Sequence, residues 1–334
     1  MTEASEHAFS TEVQPADEPG ALSQAVELLS QGQLVALPTE TVYGLAADAR
    51  SPEATARIFE AKGRPAGNPL IVHVDSVEMA QGCVAAWPSA AAQLAGAFWP
   101  GPLSLVLPKA DSIPDIVTAG GKTVAVRCPA HPVFSAVLNK CGFPLAAPSA
   151  NRSNRVSSTR AEHVVDQLGG HIPLVLDGGA CDIGIESTVI DLTGDTPTLL
   201  RPGMISFGQL KAVIGSVATA KPPATAEPLK SPGQLQQHYS PRAKLIVVEG
   251  DLGAALGEAD QTIHIIARTA ASAAWPSERW HCLPDSAGDF ARELYDTLHR
   301  CDRLGAGTIL VQSLPGTDEW AALRDRLNRA AAGA

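Results

Sequence analysis

Four cations, Lys62, Arg64, Arg127 and Arg201, stand where short apolar runs begin or end, each near Ser, Thr or Asn. Lys62 and Arg64 belong to Lys62-Gly63-Arg64-Pro65-Ala66-Gly67-Asn68-Pro69-Leu70, Arg127 closes Thr123-Val124-Ala125-Val126-Arg127, and Arg201 lies in Leu199-Leu200-Arg201-Pro202-Gly203. Glycines expose backbone N–H groups, and cations beside them converge on phosphate. A guanidinium fork also grips a carboxylate bidentately. The set suits a nucleoside triphosphate together with a small carboxylate. Any one of these arginines alone is more often a surface ion pair of little energetic weight; their recurrence carries the reading.

The elements that must position them are short strands. Leu34-Val35-Ala36-Leu37, preceded by Gly32 and stopped by Pro38, predicts a buried strand. Pro38-Thr39-Glu40-Thr41-Val42-Tyr43-Gly44-Leu45 follows it, concentrating hydroxyls, a carboxylate and a flexible glycine at the strand's carboxyl end, where open α/β sheets keep ligands. Taken alone, this stretch equally fits a capped strand-to-helix loop. Ser51-Pro52-Glu53 predicts a helix start, with Ser as N-cap and Pro at the first helical position. Strands are predicted at 70–74, 103–107, 123–127, 173–177 and 189–192, and helices at 21–29 and 161–168. On the strand 123–127, Thr123 and Arg127 share a face by the period of two. Two further polar loops, Pro148 to Thr159 and Gly178 to Thr188, each follow an apolar run. Independent surface loops would rarely repeat that pattern so regularly.

Several chemistries lack their signatures. Gly120-Gly121-Lys122-Thr123 has no first glycine at P-loop spacing and precedes its strand instead of following one. There is no GxSxG elbow and no HExxH. The six cysteines, at 83, 128, 141, 181, 282 and 301, form no CxxC pair and no metal-ligand spacing, and read as small buried hydrophobes in a reducing compartment. A net charge of −10 argues against a nucleic-acid coat protein, which needs a basic face. The first 20 residues carry neither the basic nor the apolar region of a targeting peptide, and no apolar run is long enough to span a bilayer; the expected location is cytoplasmic.

With 334 residues, two domains are expected. The organisation predicted is a disordered tail over 1–20, a first α/β domain over 21–215, a linker or lid over 216–242 and a small α/β domain over 243–334. The linker is rich in Ala, Pro, Thr, Lys and Glu, without periodicity, until Ser231-Pro232-Gly233-Gln234-Leu235-Gln236-Gln237-His238-Tyr239-Ser240-Pro241 interrupts it. Beyond it, strands at 244–248, 262–266 and 308–311 alternate with helical stretches at 252–256, 289–304 and 318–328. That alternation predicts a small parallel sheet, read as structural or regulatory.

Pro38 to Leu45, Lys62-Gly63-Arg64-Pro65 with Asn68-Pro69-Leu70, Ser149-Ala150-Asn151, Glu186-Ser187-Thr188-Val189 and Leu200-Arg201-Pro202-Gly203, in this order, resemble the YrdC-like threonylcarbamoyl-AMP synthases. The Ser231-to-Pro241 segment and the extra domain resemble the longer, two-domain branch of that family, and the likeness runs from about Gln31 onward. The resemblance implies a YrdC-like twisted open mixed sheet with helices, followed by a small Rossmann-like parallel α/β domain. It also implies a nucleotidyltransferase reaction: L-threonine, bicarbonate or CO2, and ATP give threonylcarbamoyl-AMP and pyrophosphate. This is the first step of tRNA threonylcarbamoyl-adenosine modification, completed by downstream transferase proteins and involving a tRNA contact. Carried over by motif, Thr41, His73, Arg127, Ser149 and Ser187 hold threonine. Arg64, Asn68, Thr123, Asn151, Thr159, Arg201 and Tyr239 hold ATP, with Lys62 at the phosphates and Mg2+ arriving with ATP. Lys62, Arg64 and Arg127 are then the catalytic cations. Tyr239 is expected on a lid. The chain departs from the family pattern at Asn154, where Gly is usual, and at Ser158, where Pro is usual; Asn tolerates positive φ better than most residues. The alternative is an RNA-binding module of the same fold without synthase activity. A second rival, a carbamoyl-transfer domain of a larger maturation factor, should show zinc-finger cysteines, and none is found.

Overall fold

A computed structural model describes residues 9–220, 230–232, 238–250, 252, 262–270 and 275–332. Eleven strands form one mixed sheet. Across it lie β1 (Glu12–Pro15), β8 (Leu174–Asp177), β2 (Val35–Leu37), β3 (Gly44–Asp48), β7 (Leu145–Ala146), β4 (Ile71–His73), β6 (Thr123–Arg127), β5 (Leu103–Pro108), β9 (Thr188–Asp191), β10 (Thr198–Arg201) and β11 (Ala218–Thr219). Parallel pairs such as β4 with β6 and β5 with β9 alternate with antiparallel ones such as β2 with β3 and β9 with β10. Both faces of the central strands are buried, so these runs read as continuously apolar. Ser51 caps α2 (Pro52–Lys62) as expected: its side chain accepts from the Ala54 N–H, with Pro52 at the first position. The helix ends at Gly63, whose φ of 60° turns the chain toward Arg64.

Three predictions change. The segment 38–43 joins two antiparallel strands and does not lead into a helix, because Gly44 to Asp48 pairs with β2 as β3. Of the tail expected over 1–20, residues Glu12–Pro15 form an edge strand parallel to β8, a pairing that needs a partner about 160 residues later. Within the expected linker, Ala218–Thr219 extends the sheet beside β10. The helix expected at 252–256 lies outside the described residues apart from Leu252.

The smaller domain is a parallel sheet ordered β12 (Lys244–Val248), β15 (Thr308–Gln312), β13 (Ile263–Ala267) and β14 (Trp280–Cys282). Its helices α8 (Ala287–Arg303) and α9 (Ala321–Ala331) bury apolar faces, and α8 also approaches the first domain. At Gly184, a Cβ would come within 2.3 Å of the Ala291 carbonyl on α8, and φ is 84°. Only glycine allows this approach. No helix of the described residues is long and apolar enough to cross a membrane.

Candidate active site

Strand register assembles the site. In the parallel pair β4–β6, His73 stands opposite Arg127, so both side chains leave neighbouring strand ends together. Both are buried. Arg127 Nη2 lies 2.7 Å from Glu40 Oε1, and its Nε donates to the Gly101 carbonyl at 3.3 Å. Burial, then the positive charge of Arg127, push the His73 imidazole down to about 3, so it is neutral near pH 7.

The antiparallel pair β9–β10 sets Arg201 beside the residues entering β9. Its Nε donates to the Ser187 carbonyl and its Nη2 to Ser187 Oγ, both at 3.1 Å, while Ser187 Oγ also shares a hydrogen bond of 2.8 Å with Ser104 Oγ. Gly203 is required here, since a Cβ would lie 2.3 Å from the Thr188 nitrogen. In the opening loop, Thr39 Oγ1 donates to the Val42 carbonyl at 2.7 Å and accepts from the Thr41 and Val42 N–H groups at 3.1 and 3.2 Å. Thr39 therefore shapes the turn, and Thr41 is presented by it.

Lys62 ends α2 with its ammonium buried. Nζ donates to the Ser149 carbonyl at 2.5 Å and to the Asn151 carbonyl, and burial lowers its pKa well below the usual lysine value. It ties down the Ser149-Ala150-Asn151 loop. Arg64 donates to the Asn68 carbonyl at 3.1 Å and the Pro69 carbonyl at 2.9 Å, and burial brings its pKa down to about 10. Asn151 Nδ2 folds the following loop by donating to the carbonyls of Arg152 and Arg155 at 2.7 and 2.9 Å. Asn154 in that loop adopts φ 65°, the conformation glycine would supply.

The smaller domain supplies a wall that sequence reasoning missed. Glu186 is buried with its carboxylate 2.8 Å from Arg326 Nε on α9, and it accepts from the Tyr295 hydroxyl at 3.1 Å and from Ser157. Burial alone would raise this carboxyl; Arg326 and Arg201, with those hydrogen bonds, hold it down to about 2. Arg326 in turn lies over the Tyr239 ring at 5.0 Å from its centroid. Tyr239 is itself buried at φ 63° and packs edge-on to His238. A buried arginine at helical spacing among Leu323 and Leu327 was the one available signal for Arg326.

A cavity of about 40 Å³ remains between these walls. Thr41, Arg64, His73, Arg127, Ser149, Ser187, Arg201 and Tyr239 line it, together with Glu186, Pro232 and His238. Lys62, Asn68, Thr123, Asn151 and Thr159 are not among the described residues that line it. Thr123 shares a face with Arg127 but sits at the other end of β6, about 13 Å away along the strand. Thr159 Oγ1 lies 3.4 Å from His163 Nδ1. On the loops that carry the cavity's lining, both amide atoms of Asn68, Asn151 Oδ1, Ser231 Oγ and, on the lining itself, His238 Nδ1 are buried without hydrogen-bond partners among the described residues. Buried polar groups normally have partners, so this concentration marks a place built for a polar ligand.

In the smaller domain His264, His281 and Cys301 are buried with their ligand-type atoms within 4.8 Å of one another. Their spacing matches no motif. Arg300 donates to His281 Nδ1 at 2.8 Å, which places a fixed cation beside the group and suits a packed core better than a metal.

A two-domain α/β protein with a closed, cation-lined cleft at the ends of a mixed sheet is built as an enzyme acting on an anionic substrate pair. Residues 27–203 match the Sua5–YciO–YrdC domain model, described as telomere recombination, and residues 205–332 match the model of the threonylcarbamoyl-AMP synthase C-terminal domain. The chain belongs to this threonylcarbamoyl-AMP synthase family. It is similar to the threonylcarbamoyl-AMP synthase of Pyrococcus abyssi, with 41% identity over 92% of each chain, and to that of Bacillus subtilis, with 39% identity over 93% of each. Its fold is similar to the crystal structure of Pyrococcus abyssi Sua5 complexed with L-threonine, with a TM-score of 0.87 and 37% identity over 97% of each chain.

Proposed function

We propose that the chain converts L-threonine, bicarbonate or CO2, and ATP into threonylcarbamoyl-AMP and pyrophosphate. The observation that carries this reading is the convergence of three buried guanidinium groups, Arg64, Arg127 and Arg201, on one cleft, with Arg326 behind the Glu186 and Tyr239 that line it. The synthase relatives supply the reaction. The threonine amine adds to CO2 and loses a proton, giving a carbamate; a carbamate oxygen attacks the α-phosphorus of ATP, the bond to the β-phosphate bridge oxygen breaks, and pyrophosphate departs. No protein nucleophile is needed. The protein positions the reactants, excludes water from the unstable carbamate and stabilises the departing charge.

In this reading Arg127, steadied by Glu40, receives the threonine carboxylate, with Thr41, His73, Ser149 and Ser187 around the rest of the amino acid. Arg64 and Arg201 face the phosphates, and Asn68, Thr123, Asn151 and Thr159 border the nucleotide. Lys62 acts by holding the Ser149–Asn151 loop. A cavity of about 40 Å³ admits no more than a few waters, so His238 and Tyr239 must withdraw for the substrates to enter, as a lid does. Glu186 and Glu40 are each paired with an arginine, so these residues offer no cage of free oxygen ligands; Mg2+ enters with ATP as part of the substrate. The product passes to the proteins that place the threonylcarbamoyl group on tRNA in the cytoplasm.

The test is incubation with ATP, labelled threonine and bicarbonate. Pyrophosphate release that requires all three is expected. Release without threonine, or none, overturns the assignment; salt-sensitive tRNA binding without ATP chemistry would favour an RNA-binding module.

A further inference from the structure

The segment from His238 to Arg242 borders two cavities. His238 and Tyr239 face the cleft described above, whereas Ser240 and Arg242 face a second one of about 480 Å³. Arg152 and Arg155, from the loop after Asn151, form its wall on the larger domain; Arg242 and Arg303 form the wall on the smaller one. On a chain of net charge −10 this is a local reversal of sign. Two carboxylates share the cavity, and both are engaged. Asp302 accepts from the backbone N–H groups of Arg242, at 3.0 and 2.8 Å, and Ala243, at 3.2 Å. Asp166 lies 3.6 Å from Arg303. The Arg242 guanidinium has no partner among the described residues, Arg155 donates one N–H to the Pro241 carbonyl at 3.3 Å, and Arg152 is steadied through Nε on the Gln167 carbonyl at 3.2 Å and Nη2 on His171 Nε2 at 2.9 Å.

We propose that this second cavity binds a phosphorylated anion of nucleotide size, of the pyrophosphate or nucleoside diphosphate class, whose phosphoryl oxygens bridge the arginines of the two domains. Guanidinium forks at fixed spacing are the groups that phosphoryl oxygens select. The volume matches a small-molecule site. Both walls are joined along the chain to residues that line the catalytic cleft, Arg152 three residues after Ser149 and Ser240 next to Tyr239, so an anion held here favours the closed arrangement of the lid.

The test is equilibrium dialysis of labelled pyrophosphate against the full chain, comparing wild type with Arg242→Ser/Arg303→Ser. Both side chains are exposed, so the fold should persist, and Arg152→Ser/Arg155→Ser probes the opposite wall independently. Each double variant is expected to lose one equivalent of pyrophosphate, or at least ten-fold in affinity for it, while Arg242→Lys/Arg303→Lys restores most of it. Synthesis at saturating substrate should stay within about two-fold. Unchanged binding in both serine variants overturns the proposal. So does loss of tRNA binding in those variants with pyrophosphate binding intact. Dialysis reads binding alone, so a chain without synthase activity would fail the functional assignment and leave this result standing.

Discussion

Two sets of four arginines in this protein are held in opposite ways. Arg64, Arg127, Arg201 and Arg326 are 8%, 4%, 3% and 1% exposed, whereas Arg152, Arg155, Arg242 and Arg303 stand at the surface. A buried guanidinium loses its hydration, so the fold must supply acceptors: Glu40 for Arg127, Glu186 for Arg326, carbonyls for Arg64 and Arg201. Those acceptors also fix its direction before any substrate arrives. The exposed arginines keep most of their water and make looser contacts, Arg152 with the Gln167 carbonyl and His171, Arg155 with the Pro241 carbonyl and Arg303 with Asp166, so they can adapt to what binds. The first arrangement suits a transition state of defined geometry; the second suits capture.

The largest effect should come from Glu186→Gln, which takes away the carboxylate on Arg326 Nε and leaves this buried guanidinium only its Nη1 contact with Asp325 at 2.8 Å. A loss of about 3–5 kcal/mol in unfolding free energy by denaturant titration is expected. If the variant proved as stable as the wild type, the contrast between the two arginine sets would collapse. Next, Arg201→Ala removes a charge-assisted contact of about 1.5–3 kcal/mol, so kcat/KM for ATP should fall about ten- to hundred-fold; a change under about two-fold would take Arg201 out of the site.

Acid sharpens the same comparison, because neutral histidines lie on both sides of it: His73 and His238 line the inner cleft, and His299 borders the outer cavity. Burial holds His73, His238 and His299 each near 3, against 6.5 when unfolded. The unfolded chain takes up these protons first, so their contribution is intact above about pH 6.5 and is lost as pH falls toward 3. Each histidine should add up to about 1.4 kcal/mol per pH unit to that slope. His299→Gln should remove one proton's share in denaturation curves measured from pH 7 to 5; an unchanged slope would show that His299 is not held neutral. The smallest effect belongs to Arg303→Ser, whose pair with Asp166 is half exposed on both sides. It should shift stability by less than about 1 kcal/mol, and a larger loss would mean that the outer set is structural after all.

Much of the cleft was legible because its residues lie in short local motifs at the ends of apolar runs. Thr41, Arg64, His73, Arg127, Ser149, Ser187, Arg201 and Tyr239 all reach it. Lys62 shows the limit of that reasoning. Its place beside Arg64 suggested a phosphate contact, yet the turn at Gly63 sends the two side chains different ways, and Lys62 clamps a loop from 87 residues further on. The strand β3 was hidden because Gly44-Leu45-Ala46-Ala47-Asp48 lacks the β-branched residues that advertise a strand, and it is kept extended by pairing with β2 and β7 and by burial. The strand β1 was hidden because its order depends on β8, far away in the chain.

The order of motifs, the polar strand ends and the two-domain division were written in the sequence, since each rests on local periodicity, turn residues and composition. Only the tertiary structure decided that Glu40 faces Arg127, that Glu186 in the first domain is neutralised by Arg326 near the end of the second, and that Tyr239 sits between Arg64, Arg201 and Arg326. Those pairings depend on strand register and on the docking of α8 and α9 against the loops of the mixed sheet. The physical reason is that an electrostatic partner is chosen by distance in space, and sequence separation carries no information about it once the chain has folded back across 140 residues.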